Sequence, residues 1–364
     1  MPKSVVVLTT PGDLQAFAVI ESLRRRGLDP FVWFPADFPT HEKETISFSG
    51  NQLDFTLKAG KREVRAFRAD TVWFRRIGSN SDFSALHPAD RMFGWAQCKA
   101  FREGSLQILF SEAFWVNPPA TAWLADNKLY QHSLAVRLGL MTPPSLFTND
   151  PTEIRSFVRS HHGEAIYKAF PAAAWKNGED LFACHTVRLT EADLVADELL
   201  AVTPGIYQAL VQKRYEVRLT MMGAQPFAVK IFSQDTEKGR LDWRRAYDEI
   251  RMEPTTLPAS LIESCRLLMK RLNLVFGCFD FIVDLSGDYI FLEVNQQGQF
   301  LFVETYAEVP LLDAFTEFLI HGSEFSWRGK GSGIRYEDVA NIAEELSEAA
   351  ALEHVSNPIP SVAE

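Results

Sequence analysis

The chain has 364 residues, 46% of them hydrophobic and 23% charged, and a formal net charge of −10. That length holds two or three domains with proper cores, and the acidic balance argues against a nucleic-acid partner bound through a general basic surface. Cys98, Cys184, Cys265 and Cys278 form no CxxC pair, so neither a disulfide framework nor a zinc knuckle is suggested. No run is long enough for a membrane span, and the N-terminus goes straight into SVVVLTT without a signal-peptide pattern. A reduced, cytoplasmic compartment with no membrane partner is the expectation.

Residues 4–10 read as a buried parallel strand, 13–26 as a helix closed by Gly27, and FVWF at 31–34 as a second strand. This βαβ start predicts an open α/β layer. No GxGxxG follows the first strand, so a dinucleotide site is not indicated. Residues 45–67 read as a small antiparallel excursion. TVWFRRIG at 71–78 is an apolar strand ending on Arg75 and Arg76. Open α/β sheets place ligands at such strand ends. The two arginines suit a carboxylate or phosphate there, or they pair with structural acids.

A long helical pattern covers 90–110, and FWVNPP at 114–119 closes the first domain. Asp126 is the expected N-cap and Gly139 the expected stop of the next helix. Lys128 then falls in its first turn, where a cation is unfavourable unless it shares an anion with the free amides. An exposed lysine paired with Asp126 is the plainer alternative. In AIYKAF at 165–170, alternation puts Lys168 between Ile166 and Phe170, which is costly unless its charge meets an anion or its amine reaches solvent. PAAAWKNGED, which follows, reads as a loop without regular structure, either closing over phosphates or simply connecting strands.

GIYQALVQ at 205–212, YEVRLTMM at 215–222 and FAVKIFSQ at 227–234 read as strands. In the second, Glu216, Arg218 and Thr220 share one face, and a solvated polar face is the ordinary expectation. GRLDWRRAYD at 239–248 reads as a basic loop and 258–272 as an amphipathic helix ended around Asn273. An apolar helix follows at 309–321. The GKGSG at 329–333 lacks the spacing of a Walker A loop. Residues 336–355 read as a terminal helix that packs on the body or on a second copy in a homodimer, and the last residues, SNPIPSVAE, as disordered.

FDFIVDLSGDYIFLEVN, Phe279 to Asn295, has the alternation and the Ser286-Gly287 turn of a β-hairpin. A two-residue turn sets Asp280 opposite Glu293, and Asn295 shares the face of Glu293. Directly opposed carboxylates repel. A divalent cation between them removes the repulsion, and two carboxylates with an amide suit Mg²⁺ held against nucleotide phosphates. An exposed acidic hairpin face is the alternative.

In order, Lys128, Lys168, YQALV, Glu216/Arg218 and Asp280/Glu293/Asn295 resemble the pattern of the ATP-grasp carboxylate–amine ligases, over about residues 70–320. RimK-like members show a similar Arg76-Ile77-Gly78, a similar entry from Asn117 to Lys128, and a similar acid-x-Arg at Glu216-Val217-Arg218. The microviridin or graspetide macrocyclases look similar in more places: Trp73–Arg76, NPP, the YQ hinge, EVR, Phe227–Gln234, Asp242–Arg244 and Leu292–Gln299. Where that family has Asn-Pro-Asn-Gly, this chain has Asn295-Gln296-Gln297-Gly298, and loss of the proline predicts a looser loop.

The resemblance implies a combined α/β and α+β architecture: an ATP-grasp fold behind an N-terminal open α/β domain. The expected units are 1–116 (N-terminal α/β), 117–204 (central subdomain), 205–325 (C-terminal subdomain with the metal site) and 326–364 (helical tail). It also implies ATP contacted by Lys128, Lys168, Glu216 and the hinge Gln208, Ala209, Leu210 and Val211, and Mg²⁺, as two ions, on Asp280, Glu293 and Asn295. Arg218 is then the first candidate for the substrate carboxylate, with Arg76 and Arg244 behind it. The implied partner is a precursor peptide with a leader and an acidic core, crosslinked within itself through ester or amide bonds. A RimK-like ligase adding a free amino acid or amine, and a nucleotide-binding scaffold without ligase activity, are the alternatives.

Overall fold

The computed structural model describes residues 3–59, 62–65, 68–78, 83–170, 174–177, 180–183, 186–329 and 331–354. The N-terminal layer is built from β1 (Val5–Leu8), α1 (Leu14–Arg25) and β2 (Phe31–Trp33). Asp13 caps α1 by accepting from the Ala16 amide, and Gly27, at φ +78°, takes the left-handed turn that ends it. The antiparallel excursion is β3 (Glu42–Ser49), β4 (Gln52–Ala59) and β5 (Arg62–Arg65). Then come β6 (Thr71–Phe74), α2 (Arg91–Ile108) and β7 (Phe114–Val116). Four parallel strands lie in the order β2-β1-β6-β7, so the end of β6 opens at the sheet's carboxyl edge.

The next segment makes two helices, α3 (Pro119–Ala125) and α4 (Lys128–Arg137), rather than one capped by Asp126. Asp126 terminates α3, so the cap falls to Asn127, whose side chain accepts from the Tyr130 amide at 3.0 Å. Lys128 is the first residue of α4, as expected. Leu134, Ala135 and Leu140 pack into the core of the C-terminal sheet.

The central layer holds β8 (Ser145–Thr148), α5 (Pro151–Ser160), β9 (Ala165–Lys168), β10 (Ala174–Asn177), β11 (Asp180–Ala183), β12 (Val187–Leu189), α6 (Asp197–Leu200) and β13 (Gly205–Ala209). β10 and β11 pair antiparallel, so the stretch expected to lack regular structure carries a hairpin; residues 171–173 and 178–179 lie outside the described residues. The antiparallel order is β12-β9-β13-β8. A boundary at 204/205 would cut this sheet, because β13 pairs with both β8 and β9. The chain crosses to the next sheet at Leu210–Gln212.

That sheet comprises β14 (Lys213–Met222), β15 (Gln225–Ile231), β16 (Met252–Thr255), β17 (Phe276–Asp284) and β18 (Tyr289–Asn295), with α7 (Ala259–Leu272) before β17. The order is β16-β15-β14-β17-β18, antiparallel throughout. Val217, Leu219 and Met221 of β14 pack with Phe279, Phe281, Ile262, Cys265 and Leu268 on one face. The opposite face is also buried: Glu216, Arg218 and Thr220 are 8%, 4% and 1% exposed, which corrects the expectation of a solvated polar strand face.

Last come α8 (Leu301–Ala307), α9 (Leu311–His321) and α10 (Tyr336–Glu353). Val339 and Ala343 of α10 join the core that contains Phe17 and Ile20 of α1, so the terminal helix packs on the body of its own chain. The end expected to be disordered lies outside the described residues.

Candidate active site

The hairpin β17–β18 brings the acids together by a different route from the one expected. Its connection is three residues: the Asp284 amide donates to the Asp288 carbonyl, and the Asp284 carboxylate accepts from the amides of Ser286, Gly287 and Asp288, each at 2.9 Å. An odd connection alone would break the Asp280–Glu293 opposition. A β-bulge between Asp280 and Phe281 restores it, since Phe281 pairs with Phe291, Asp280 pairs with Glu293, and Leu292 is the extra residue. Asn295 lies on the same face, its Nδ2 donating to Asp280 at 3.2 Å and Glu293 at 3.4 Å.

Cations surround these acids. Arg218, paired with Asp280 across β14 and β17, donates from Nη1 to both carboxylate oxygens at 2.8 and 2.9 Å, and from Nη2 to the Gln299 carbonyl at 2.5 Å. Burial disfavours its charge, but Asp280, with Cys278 and Glu293, outweighs this and raises its pKa. Lys128 Nζ lies 3.4 Å from Glu293, not on Asp126. Arg244 reaches Asp280 at 3.8 Å and Glu293 at 4.0 Å while its side chain stays 39% exposed. Burial pushes the Glu293 carboxyl up, and Lys128, Arg244 and Lys168 together bring it down to about 2.

Lys168 donates to Gln208 Oε1 at 2.9 Å, and Gln208 Nε2 donates to Ser145 Oγ at 2.9 Å. Burial lowers the Lys168 pKa to about 8; Glu293 opposes that shift, while Lys128 and Arg244 add to it. Four cationic side chains thus converge on two carboxylates. The cluster carries positive charge in excess and suits a polyanion. Its two carboxylates and one amide are hard donors of the kind that fits Mg²⁺. Among the described residues, no group of three or more His, Cys, Asp or Glu side chains that could hold a metal ion converges anywhere; this cluster has two carboxylates and an amide.

Other expected residues lie outside this cluster. Arg76 pairs with Asp13 at 3.4 Å, as does the deeply buried Arg75 at 3.0 Å, so the alternative of a structural acid holds for both. Glu216 accepts from Lys213 Nζ at 2.6 Å. At the hinge, the Ala209 amide is bound to the Pro144 carbonyl at 2.9 Å and the Leu210 amide to the Glu164 carbonyl at 2.7 Å; Val211 follows them into the crossing.

The loop after Asn295 is held firmly, contrary to the looseness expected from the missing proline. Gln296 Nε2 donates to Asp126 Oδ1 at 2.8 Å and to the Ala122 carbonyl at 3.1 Å. Gln297 Nε2 donates to the Phe74 carbonyl at 3.1 Å, and Arg75 donates to the Gln297 carbonyl. Asn117 Nδ2 donates to the carbonyls of Gln296 and Phe276 at 2.8 and 2.9 Å, and its Oδ1 accepts from the Val275 and Phe276 amides. Gln131 brackets Val294, donating to its carbonyl and accepting from its amide. The loop replaces one proline's rigidity with hydrogen bonds from three parts of the chain. Gln131 carries no motif, and only the fold reveals it.

The chain matches no protein-family model and no curated protein. Among solved structures, it is 30% identical to macrocyclase MdnB from Microcystis aeruginosa MRC, with a TM-score of 0.74 over 88% of this chain and 100% of that one. The chain belongs to the ATP-grasp peptide macrocyclases. Macrocyclase MdnC of the same organism, bound with precursor peptide MdnA, is 25% identical at a TM-score of 0.75, covering 87% of this chain and 99% of that one. ATP-grasp ligase PsnB, complexed with a phosphomimetic variant of a minimal precursor, Mg and ADP, is 25% identical at 0.69, covering 89% and 99%. The mixed α/β and α+β architecture of this macrocyclase is the ATP-grasp fold. No described helix is long and apolar enough to cross a membrane.

Proposed function

We propose that the protein is an ATP-dependent ligase that activates side-chain carboxylates of a ribosomally made precursor peptide and closes ester or amide crosslinks within it. The observation that carries this is the convergence of Lys128, Lys168, Arg218 and Arg244 on Asp280 and Glu293, in a chain that aligns with the whole of macrocyclase MdnB. MdnC bound with MdnA supports a precursor peptide as substrate, and PsnB with Mg and ADP supports the nucleotide and metal.

In this reading Lys128 and Lys168 hold the phosphates of ATP, and the hinge from Gln208 to Val211, with Glu216, borders the nucleotide. Gln208 acts through Lys168, since its side chain is already bound to that ammonium. Asp280, Glu293 and Asn295 would hold Mg²⁺, which neutralises phosphate charge when bound. A peptide carboxylate oxygen bonds to the γ-phosphorus as the bond to the ADP oxygen breaks. A hydroxyl or amine of the same peptide then attacks the acyl carbon, loses its proton and displaces phosphate. The residues contribute by positioning and by fixed charge. Arg244 is our candidate for the substrate carboxylate, because its side chain is partly exposed and it makes no close carboxylate contact, its acids Asp242, Asp280 and Glu293 standing at 3.5, 3.8 and 4.0 Å. Arg218 works from beneath, fixing Asp280, and Arg76 at the end of β6 borders the same basin through Asp13.

The test is coupled turnover. Mg·ATP should yield ADP and phosphate when the precursor peptide is added, and Glu293→Gln should lose that yield. Equal turnover by Glu293→Gln would remove this reading of the cluster.

A further inference from the structure

The glutamine pair Gln296-Gln297 directly follows Asn295, and its first member reaches a residue outside the cluster. Gln296 is 5% exposed, yet its amide nitrogen ends on the carboxylate of exposed Asp126 at 2.8 Å. Asp126 is followed by the α4 cap Asn127 and then by Lys128, whose ammonium returns to Glu293 at 3.4 Å. Glu293 is three residues before Gln296 on the same strand and loop. The contacts therefore close a ring: Gln296 to Asp126, along the chain to Lys128, across to Glu293, and back along the chain. The Gln296 carbonyl is meanwhile fixed by Asn117, so its side chain cannot slide along the loop.

We infer that Gln296 is a positioning residue for Lys128, acting through Asp126. It sets the distance between the first turn of α4 and the acidic hairpin, and so where the Lys128 ammonium stands when a nucleotide phosphate arrives. This rests on the proposed nucleotide site. A hydrogen bond to a carboxylate is charge-assisted and strong enough to hold such a turn.

Mg·ADP affinity, measured by calorimetry on the full-length protein, tests it without requiring a peptide. Gln296→Met keeps the length of the side chain and removes its donor. The expected result is affinity weakened about ten-fold, the loss of roughly one charged hydrogen bond's worth of positioning. The Asp126→Ala variant, altered at an exposed position, should show the same weakening and serves if Gln296→Met does not fold. In a Lys128→Ala background the Gln296→Met change should cost less than about two-fold, because the group it positions is gone. An undiminished effect in that background would overturn the inference and leave Gln296 as an ordinary loop anchor. Wild-type affinity in both single variants would overturn it as well. Absence of Mg·ADP binding by the wild-type protein would instead overturn the nucleotide site, and the inference with it.

Discussion

Arg218 and Asp280 face each other across β14 and β17, with Nη1 at 2.8 and 2.9 Å from the two carboxylate oxygens and both residues almost wholly buried. Removing one member leaves the other's charge buried and unpaired, which typically costs about 3–5 kcal/mol. Arg218→Ala and Asp280→Ala should therefore both lower the thermal unfolding midpoint by several degrees, as well as abolishing turnover. Asp280 is thus not a site whose loss spares the fold. Glu293→Gln, with its partner Lys128 partly exposed, should abolish turnover with a much smaller shift. Thermal scans of the three variants decide this; equal midpoints would contradict the pairing.

Arg244 offers the contrasting case. Its side chain is 39% exposed and stands 3.5 Å from Asp242 and 3.8 and 4.0 Å from Asp280 and Glu293. Arg244→Ala should lower the unfolding midpoint by less than Arg218→Ala does, because its side chain is partly exposed and its ion pairs are longer. Mg·ADP affinity should fall only modestly, while product formation should drop by about a hundred-fold, in line with loss of one preorganised charge. Retained product yield would pass the carboxylate role to another residue.

Lys168 titrates near pH 8 because burial disfavours its charge. An unfolded lysine titrates near 10.4, so between these values the unfolded chain binds more protons and stability gains as pH rises through that window. Nucleotide binding runs the other way. Phosphate oxygens favour the ammonium, so Mg·ADP binding should take up protons above about pH 8. Calorimetry in buffers of different ionisation enthalpy measures that uptake. Lys168→Met should abolish it; uptake unchanged in that variant would assign it to another group.

A Cβ on Gly298 would lie 2.9 Å from Cys278 Cβ, 3.0 Å from Arg218 Nη2 and 3.0 Å from Asn295 Cβ. The neighbours are a buried strand and a paired guanidinium, neither free to retreat. Gly298→Ala should displace Arg218 from the Gln299 carbonyl and reduce turnover at least ten-fold or so, by the usual sensitivity of catalysis to small misplacement. Steady-state rates against Mg·ATP check this, and wild-type kcat would show that the loop yields.

Much of the site was legible because its carriers are local. Alternation of Phe279, Phe281 and Val283 around a Ser-Gly turn marks the hairpin, and Lys128 and Lys168 are conspicuous as cations in unfavourable places. The turn differs from the two-residue one that the alternation predicts, because the Asp284 side chain caps three successive amides and lengthens the connection, while the bulge at Leu292 puts the register back. Neither device has a periodicity. The polar face of β14 was expected in solvent because what covers it, the loop around Gly298 and the segment carrying Arg244, comes from far along the chain. The short helices α3 and α8 are seven residues each, too short for a clear helical period. The firmness of the 296–299 loop depends on Asn117, Phe74 and Asp126, which only the assembled fold brings to it.

The most direct test is the intact mass of a precursor peptide with a leader and an acidic core, after incubation with the protein, Mg²⁺ and ATP. Intramolecular closure predicts stepwise loss of water, one for each bond, requiring ATP and absent with Glu293→Gln. An unchanged mass, or a gain equal to an amino-acid or amine residue seen only when that compound is supplied, would contradict a macrocyclase acting within one peptide.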